Sequence, residues 1–208
     1  MNKRFDAYIF DMDGTLWDAV DSYAAIWNTT IVQLGVQVPP VTRHKLVELM
    51  GMPLDAIYDS LVGDCADRRK FEELLLANDS DMMPELGGRL YPGVRETLDE
   101  LRDSGALLMM VSNCTATGLP NFVAYNRLEG YFSELLSMGA TGKDKTANIK
   151  ALISRYNLSN PVYVGDTAGD CTATHAAGIP FVWAAYGFGK NVAGADYTIC
   201  SINELPSI

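Results

Sequence analysis

The sequence has no surplus of positive charge. Its 16 lysines and arginines are outnumbered by 26 aspartates and glutamates, for a formal net charge of −10. Nucleic-acid binding draws on a basic, phosphate-directed surface, so no nucleic-acid partner is expected. Anionic membrane surfaces are disfavoured for the same reason. A small anionic substrate stays open, because one local cation or a bound metal can invert the field inside a cleft. Paired cysteines are also lacking. Cys65, Cys114, Cys171 and Cys200 are scattered, without a C-x-x-C pair or zinc spacing. Four reduced thiols in a cytoplasmic protein are the expectation. No run of about 18 apolar residues occurs, which excludes a conventional membrane-spanning helix. Met1 to Phe10 does not read as a signal peptide, since Asp6 interrupts it and Asp11 and Asp13 follow at once. Internal repeats and low-complexity stretches are missing too.

What remains is an ordinary globular chain. Its 208 residues, 48% hydrophobic and 20% charged, fit one large domain or a domain with an insert. Such a chain buries a sizeable core without disulfide or metal staples.

Ala7 to Phe10 is a short continuous apolar run, the pattern of a strand buried on both faces. Similar strands are expected at Ala106 to Val111, Pro161 to Val164 and Phe181 to Trp183, with weaker ones near Leu135 to Ser137 and Tyr197 to Ile199. Helices are expected between them: Gly93 to Ser104, around Asn121, Thr146 to Asn157 and Asp170 to Ala177. After the first strand the pattern differs. Val20, Tyr23, Ala24, Trp27, Ile31 and Leu34 recur at helical spacing, with Asp18 as the expected N-cap and Gly35 closing the helix. A second helix capped by Thr42, a third over Leu54 to Leu61 and a fourth over Arg68 to Asn78 follow, with no strand expected between Trp17 and Gly88.

Alternating strands and helices imply an α/β fold, a three-layer Rossmann-like parallel sheet with helices on both faces. The helical block interrupts that alternation. The expected division is an α/β core over 1–16 and 89–208, with an inserted helical cap over 17–88.

In such sheets ligands bind beyond the carboxyl ends of the strands. Three expected strands end there in polar residues: Asp11 and Asp13, Ser112 and Asn113, and Asp166. Clustered carboxylates cost free energy unless a cation neutralises them, and an all-oxygen ligand set favours magnesium. In the spacing Asp11-x-Asp13, alternate side chains on extended backbone share a face and the chain turns at Gly14. One carboxylate can attack while the other handles protons.

These residues resemble the ordered motifs of the haloacid dehalogenase (HAD) superfamily. The matching segments are Asp11-Met12-Asp13-Gly14-Thr15-Leu16, Val111-Ser112-Asn113, a lysine, and Gly165-Asp166-Thr167-Ala168-Gly169-Asp170. The helical block, Tyr91-Pro92-Gly93-Val94 and Ala177-Gly178-Ile179-Pro180 resemble its phosphoglycolate-phosphatase-like branch with a C1 cap. The resemblance covers nearly the whole chain. It implies a magnesium-dependent phosphatase acting on small phosphorylated metabolites, of the phosphoglycolate or sugar-phosphate type, through an aspartyl phosphate. Asp11 would be the nucleophile and Asp13 the general acid and base. Magnesium would lie on Asp11, the Asp13 backbone carbonyl and Asp166, with Asp170 orienting the site. Ser112 and the Asn113 backbone would bind the phosphoryl oxygens. The lysine departs from the common Lys-Pro pattern, because Gly142-Lys143-Asp144-Lys145-Thr146 offers two candidates and no proline. The offset of Lys145 from the helix positions Ile149, Leu152 and Ile153 better matches family members that lack the proline, which favours Lys145.

Other residues are expected to be structural. His44 and His175 have no necessary role in carboxylate chemistry. Cys114 and the methionines read as packing, and Gly187-Phe188-Gly189 as a surface loop at least as readily as a loop near the site. A phosphomutase on the same scaffold and a non-catalytic binding protein are the competing readings. A monomer or a homodimer is expected.

Overall fold

The computed structural model describes residues 5–208; Met1 to Arg4, part of the segment judged not to be a signal peptide, lie outside the described residues. The sheet has six strands: β1 (Ala7–Phe10), β4 (Leu107–Ser112), β5 (Glu134–Ser137), β6 (Pro161–Gly165), β7 (Phe181–Ala184) and β8 (Tyr197–Ile199). Their order is β5-β4-β1-β6-β7-β8, and every neighbouring pair is parallel. The expected parallel α/β sheet is therefore the observed one.

The central strands are apolar at every position because both faces are covered. In β1, Tyr8 and Phe10 join one core cluster with Leu98 and Val164, while Ile9 joins the other with Met109, Ile149, Leu152 and Tyr163. The first cluster draws on α5 (Val94–Asp103), the second on α8 (Lys145–Tyr156) and α9 (Ala168–Ala177). The remaining short helices beside the sheet are α6 (Gly118–Tyr125) and α7 (Met138–Thr141). From β1 the chain runs outward through β4 to β5; from β6 it runs the other way through β7 to β8. The direction reverses between β1 and β6. That is the topological switch point, where side chains beyond the strand ends face an open crevice.

Before β4 the chain forms a separate helical block: α1 (Val20–Gln33), α2 (Arg43–Val47), α3 (Leu54–Leu61) and α4 (Arg68–Leu86). Its core includes Trp27 and Tyr58 against Phe71, with ring centroids 5.4 and 5.3 Å apart. Thr42 caps α2 as expected, accepting from the Lys45 N–H at 3.3 Å.

Three expectations fail in this block. Trp17–Asp18 (β2) and Arg89–Leu90 (β3) pair antiparallel where no strand was expected at Trp17. Asp18 is consequently held in that ribbon, and Ala19 is the N-cap of α1. The Asp18 carboxylate still accepts from the Val20 N–H at 3.1 Å and pairs with Arg43. The fourth helix does not stop at Asn78 but continues to Leu86, through Pro84 in its last turn. The polar run that begins at Asn78 is partly buried. Asn78 donates to Thr30 Oγ1 at 2.9 Å and to Gln33 Oε1 at 2.8 Å, and Asp79 is also buried.

Candidate functional site

Asp11 follows the last residue of β1, and its N–H donates to the Val164 carbonyl at 2.9 Å. That bond ties the first acidic residue to β6 across the switch point. The chain then turns: the Leu16 N–H donates to Met12 O at 2.9 Å and the Gly14 N–H to Trp17 O at 2.9 Å. Gly14 has φ +79°, and a Cβ there would lie 2.3 Å from Asp166 Oδ2. Only glycine lets the turn pass this close to Asp166.

The carboxylates converge. Ligand oxygens of Asp11, Asp166 and Asp170, all buried, lie within 4.8 Å of one another. Lys145 is buried among them. Its Nζ sits 3.0 Å from Asp11 Oδ1, pairs closely with Asp170 Oδ1, and lies 5.6 Å from the Tyr163 ring centroid. Lys143 is exposed. The structure thus brings Lys145, and not Lys143, to the acidic cluster. Lys145 opens α8, whose N-cap Asp144 accepts from the Ala147 N–H at 2.7 Å.

Each carboxylate has its own setting. Asp170 closes a capping box with Thr167 at the start of α9, its Oδ2 accepting from Thr167 N–H and Oγ1 at 2.9 and 2.8 Å. With Oδ1 on Lys145, both of its oxygens are engaged. Asp166 Oδ2 accepts from the N–H groups of Phe188 and Gly189 at 2.7 and 3.2 Å; Oδ1 has Thr15 Oγ1 at 3.4 Å. The loop at Gly187-Phe188-Gly189 therefore belongs to the site rather than to a plain surface. Asp13 is partly buried, and its carboxylate accepts from Trp17 Nε1 at 3.0 Å and Tyr23 OH at 3.4 Å. Ser112 ends β4, and the Asn113 amide donates to Gly51 O at 3.0 Å, which links the sheet edge to the helical block.

Asp11 and Asp170 share the Lys145 ammonium, with Asp166 and Asp13 close to Asp11, and the electrostatics show the excess of negative charge. Burial raises Asp11 to about 6 against the pull of Lys145, with Asp170 adding to the rise. Burial and the charges of Asp170 and Asp11 raise Asp166 to about 7. Asp13 is held well above the usual carboxylate range by burial and by Asp11. Lys145 is raised well above its ordinary value by Asp11 and Asp170, which outweigh the opposing effect of burial. An excess of hard oxygen donors with raised affinity for positive charge fits a divalent cation such as magnesium.

Asp11, Asp13, Lys145, Ser112 and Asn113 border a cavity of about 110 Å³. The opposite wall comes from the helical block, including Trp27, Met52, Leu54 and Leu75. The turn at Gly51 and Met52 does face the cleft, and so does Trp17, whereas Asp18 and Asp21 pair with Arg43. Cys114 also lines the cavity. His44 is exposed, and His175 pairs with Asp196 at 2.9 Å.

Sequence reasoning missed the partners of these groups. The Phe188 and Gly189 donors are backbone atoms and carry no side-chain signal. Trp17 and Tyr23 lie within ten residues of Asp13, yet their contact with it follows from the turn rather than from any periodicity.

A parallel α/β sheet with acidic residues gathered at its switch point, facing an inserted run of helices, defines the class as a Rossmann-like α/β protein with an acidic site at the sheet edge. The haloacid dehalogenase-like hydrolase family matches residues 8–184, and the chain belongs to that family. Among curated proteins it is similar to phosphoglycolate phosphatases of Mannheimia succiniciproducens (26% identical; 94% of this chain, 92% of that protein) and Aliivibrio fischeri (28%; 86% and 83%). Among solved structures it resembles a predicted phosphoglycolate phosphatase from Haemophilus somnus 129pt at 22% identity. Its TM-score is 0.84, covering 100% of this chain and 99% of that one. A predicted phosphatase from Clostridium acetobutylicum superimposes with a TM-score of 0.80 at 21% identity, covering 98% and 97%. At these identities the structural likeness speaks for the fold. Among the described residues no helix is long and apolar enough to cross a membrane.

Proposed function

We propose that the chain is a magnesium-dependent phosphatase that hydrolyses small phosphate monoesters through an aspartyl phosphate on Asp11. The observation that carries this reading is the convergence of Asp11, Asp166 and Asp170 within 4.8 Å, with Lys145 on Asp11, beside a cavity that Asp11 and Lys145 line. The names of the curated relatives point the same way.

The side chains divide the work. Asp11 attacks phosphorus, and the bond to the leaving oxygen breaks. Asp13, whose carboxyl is held well above the usual range by burial and by Asp11, gives a proton to the leaving oxygen. Trp17 and Tyr23 fix the direction in which it does so. Asp13 then takes a proton from the water that attacks the acyl phosphate, freeing phosphate and restoring Asp11. Lys145, the Ser112 hydroxyl and the Asn113 N–H hold the charged phosphoryl oxygens. Asp11, Asp166 and the Asp13 carbonyl would hold the magnesium, which supplies Lewis-acid neutralisation of phosphoryl charge. Asp170 keeps Lys145 in place. Residues 17–88 serve as a cap that excludes water from the acyl phosphate.

The test is phosphate release from a panel of monoesters with magnesium and with chelator. Release that depends on magnesium is expected. No release from any ester, or equal rates in chelator, removes the proposal.

The acidic cluster also sets a pH dependence of stability. Asp11 and Asp166 titrate near 6 and 7 when folded, against 3.8 ordinarily. Between those values the folded chain holds more protons than the unfolded chain, so the stability they govern falls as pH rises. The penalty is complete above about pH 7. In chelator, the thermal midpoint is expected to fall between about pH 5.5 and 7.5. Magnesium should raise it more at the higher pH, and Asp166→Asn should lose most of that rise. A magnesium shift of equal size at both pH values would contradict the account.

A further inference from the structure

The cavity has one buried charged group that the reaction does not use. Asp79 on α4 is 93% buried and lines the same cavity as Asp11 and Lys145. Thr115 Oγ1 and Thr117 Oγ1 reach it at 3.3 and 3.5 Å, both on Oδ2. Oδ1 has no protein donor among the described residues. Around Asp79 the wall is apolar, with Leu75, Leu76 and Met83 from the same helix and Ile26 from α1. Among the described residues Lys145 is the one basic residue in the lining, and Asp11 and Asp170 already hold it.

We propose that Asp79 selects the leaving group: the cavity takes a phosphate ester on an uncharged stem bearing a hydrogen-bond donor, hydroxyl or ammonium, which Asp79 accepts, and disfavours an anionic leaving group. The proposal rests on the phosphatase reading and narrows it. With Oδ2 held by the two threonines, Oδ1 is the oxygen left for a donor on the substrate, and a hydrogen bond to a largely buried carboxylate is stronger than one to a neutral exposed group. A substrate carboxylate entering the same apolar chamber would meet Asp79 with no free cation to compensate. Esters such as phosphoglycolate are therefore disfavoured, and hydroxyl- or amine-bearing esters are favoured. Repulsion of the wrong charge contributes as much to such selection as attraction of the right one.

The test compares matched alkyl phosphates on ethyl, propyl and butyl stems, ending in amine, hydroxyl or carboxylate. Each is assayed with the wild-type chain, Asp79→Asn and Asp79→Ala. p-Nitrophenyl phosphate reports the phosphatase reading separately. The wild type should favour amine or hydroxyl over carboxylate by about tenfold or more in kcat/KM. Asp79→Asn, which keeps the shape, should lower kcat/KM for the amine esters and raise it for the carboxylates. A wild-type preference for carboxylates, or a variant that shifts all end groups alike, overturns the role of Asp79 while p-nitrophenyl phosphate turnover leaves the phosphatase reading standing. No turnover of any ester removes both. Melting curves of the two variants show whether a uniform loss is one of folding, and Asp79→Asn alone decides if Asp79→Ala unfolds.

Discussion

Asp11→Asn is expected to lower turnover by about four orders of magnitude or more while leaving the fold intact. The amide is nearly isosteric with the carboxylate, so the Asp11 N–H bond to Val164 and the packing of β1 survive the change. What is lost is the nucleophile, and no neighbour replaces it. Asp13 is engaged by Trp17 and Tyr23, Asp170 by Lys145 and Thr167, and Asp166 by the Phe188 and Gly189 amides. The variant should also melt at or above the wild-type temperature in chelator at neutral pH, because one of the crowded negative charges is gone. Steady-state assays beside melting curves check both halves. Retained turnover would place the chemistry elsewhere; a collapsed fold would show that Asp11 is needed for structure.

The second large effect concerns the two lysines. Lys145→Ala is expected to cost about a thousandfold in turnover and to destabilise the chelated protein by about 3–5 kcal/mol. Its ammonium is buried and is the sole partner of Asp11 Oδ1 and Asp170 Oδ1 among the described residues. Removing it leaves buried carboxylates facing each other without a counter-charge. Part of that cost is offset by protonation, since Asp11 and Asp166 already titrate near neutral pH. The loss of stability should accordingly be larger at about pH 8 than at about pH 5.5. Lys143→Ala, at an exposed position, should stay within about 0.5 kcal/mol and keep near-normal turnover. Chemical denaturation and kinetics of both variants decide the assignment. The reverse pattern would make Lys143 the catalytic lysine.

The choice between these lysines shows what a sequence can carry. Ile149 and Leu152 mark the inward face of α8, and Lys145 lies one turn before Ile149 on that face, the offset by which the family resemblance favours it over Lys143. The acids at the ends of β1 and β6 were legible for a similar reason: an apolar strand ending in aspartate is unusual unless the strand end meets a ligand. Other features left no pattern to read. β2 and β3 have two residues each, too few for any alternation. α4 runs on past Asn78 with Asn78 and Asp79 buried, and burial of polar residues by tertiary packing leaves no pattern in the sequence. Asp79 faces the cavity through that same packing, so the proposed selectivity could not have been drawn from the sequence.

The central claim is a covalent bond between Asp11 and phosphorus. It is tested most directly by quenching the protein during magnesium-supported turnover, reducing with borohydride and mapping the peptides by mass spectrometry. Reduction converts an aspartyl phosphate to homoserine, so the account predicts homoserine at position 11 and unmodified aspartate at positions 13, 166 and 170. Homoserine at another position, or none during demonstrable turnover, would contradict it.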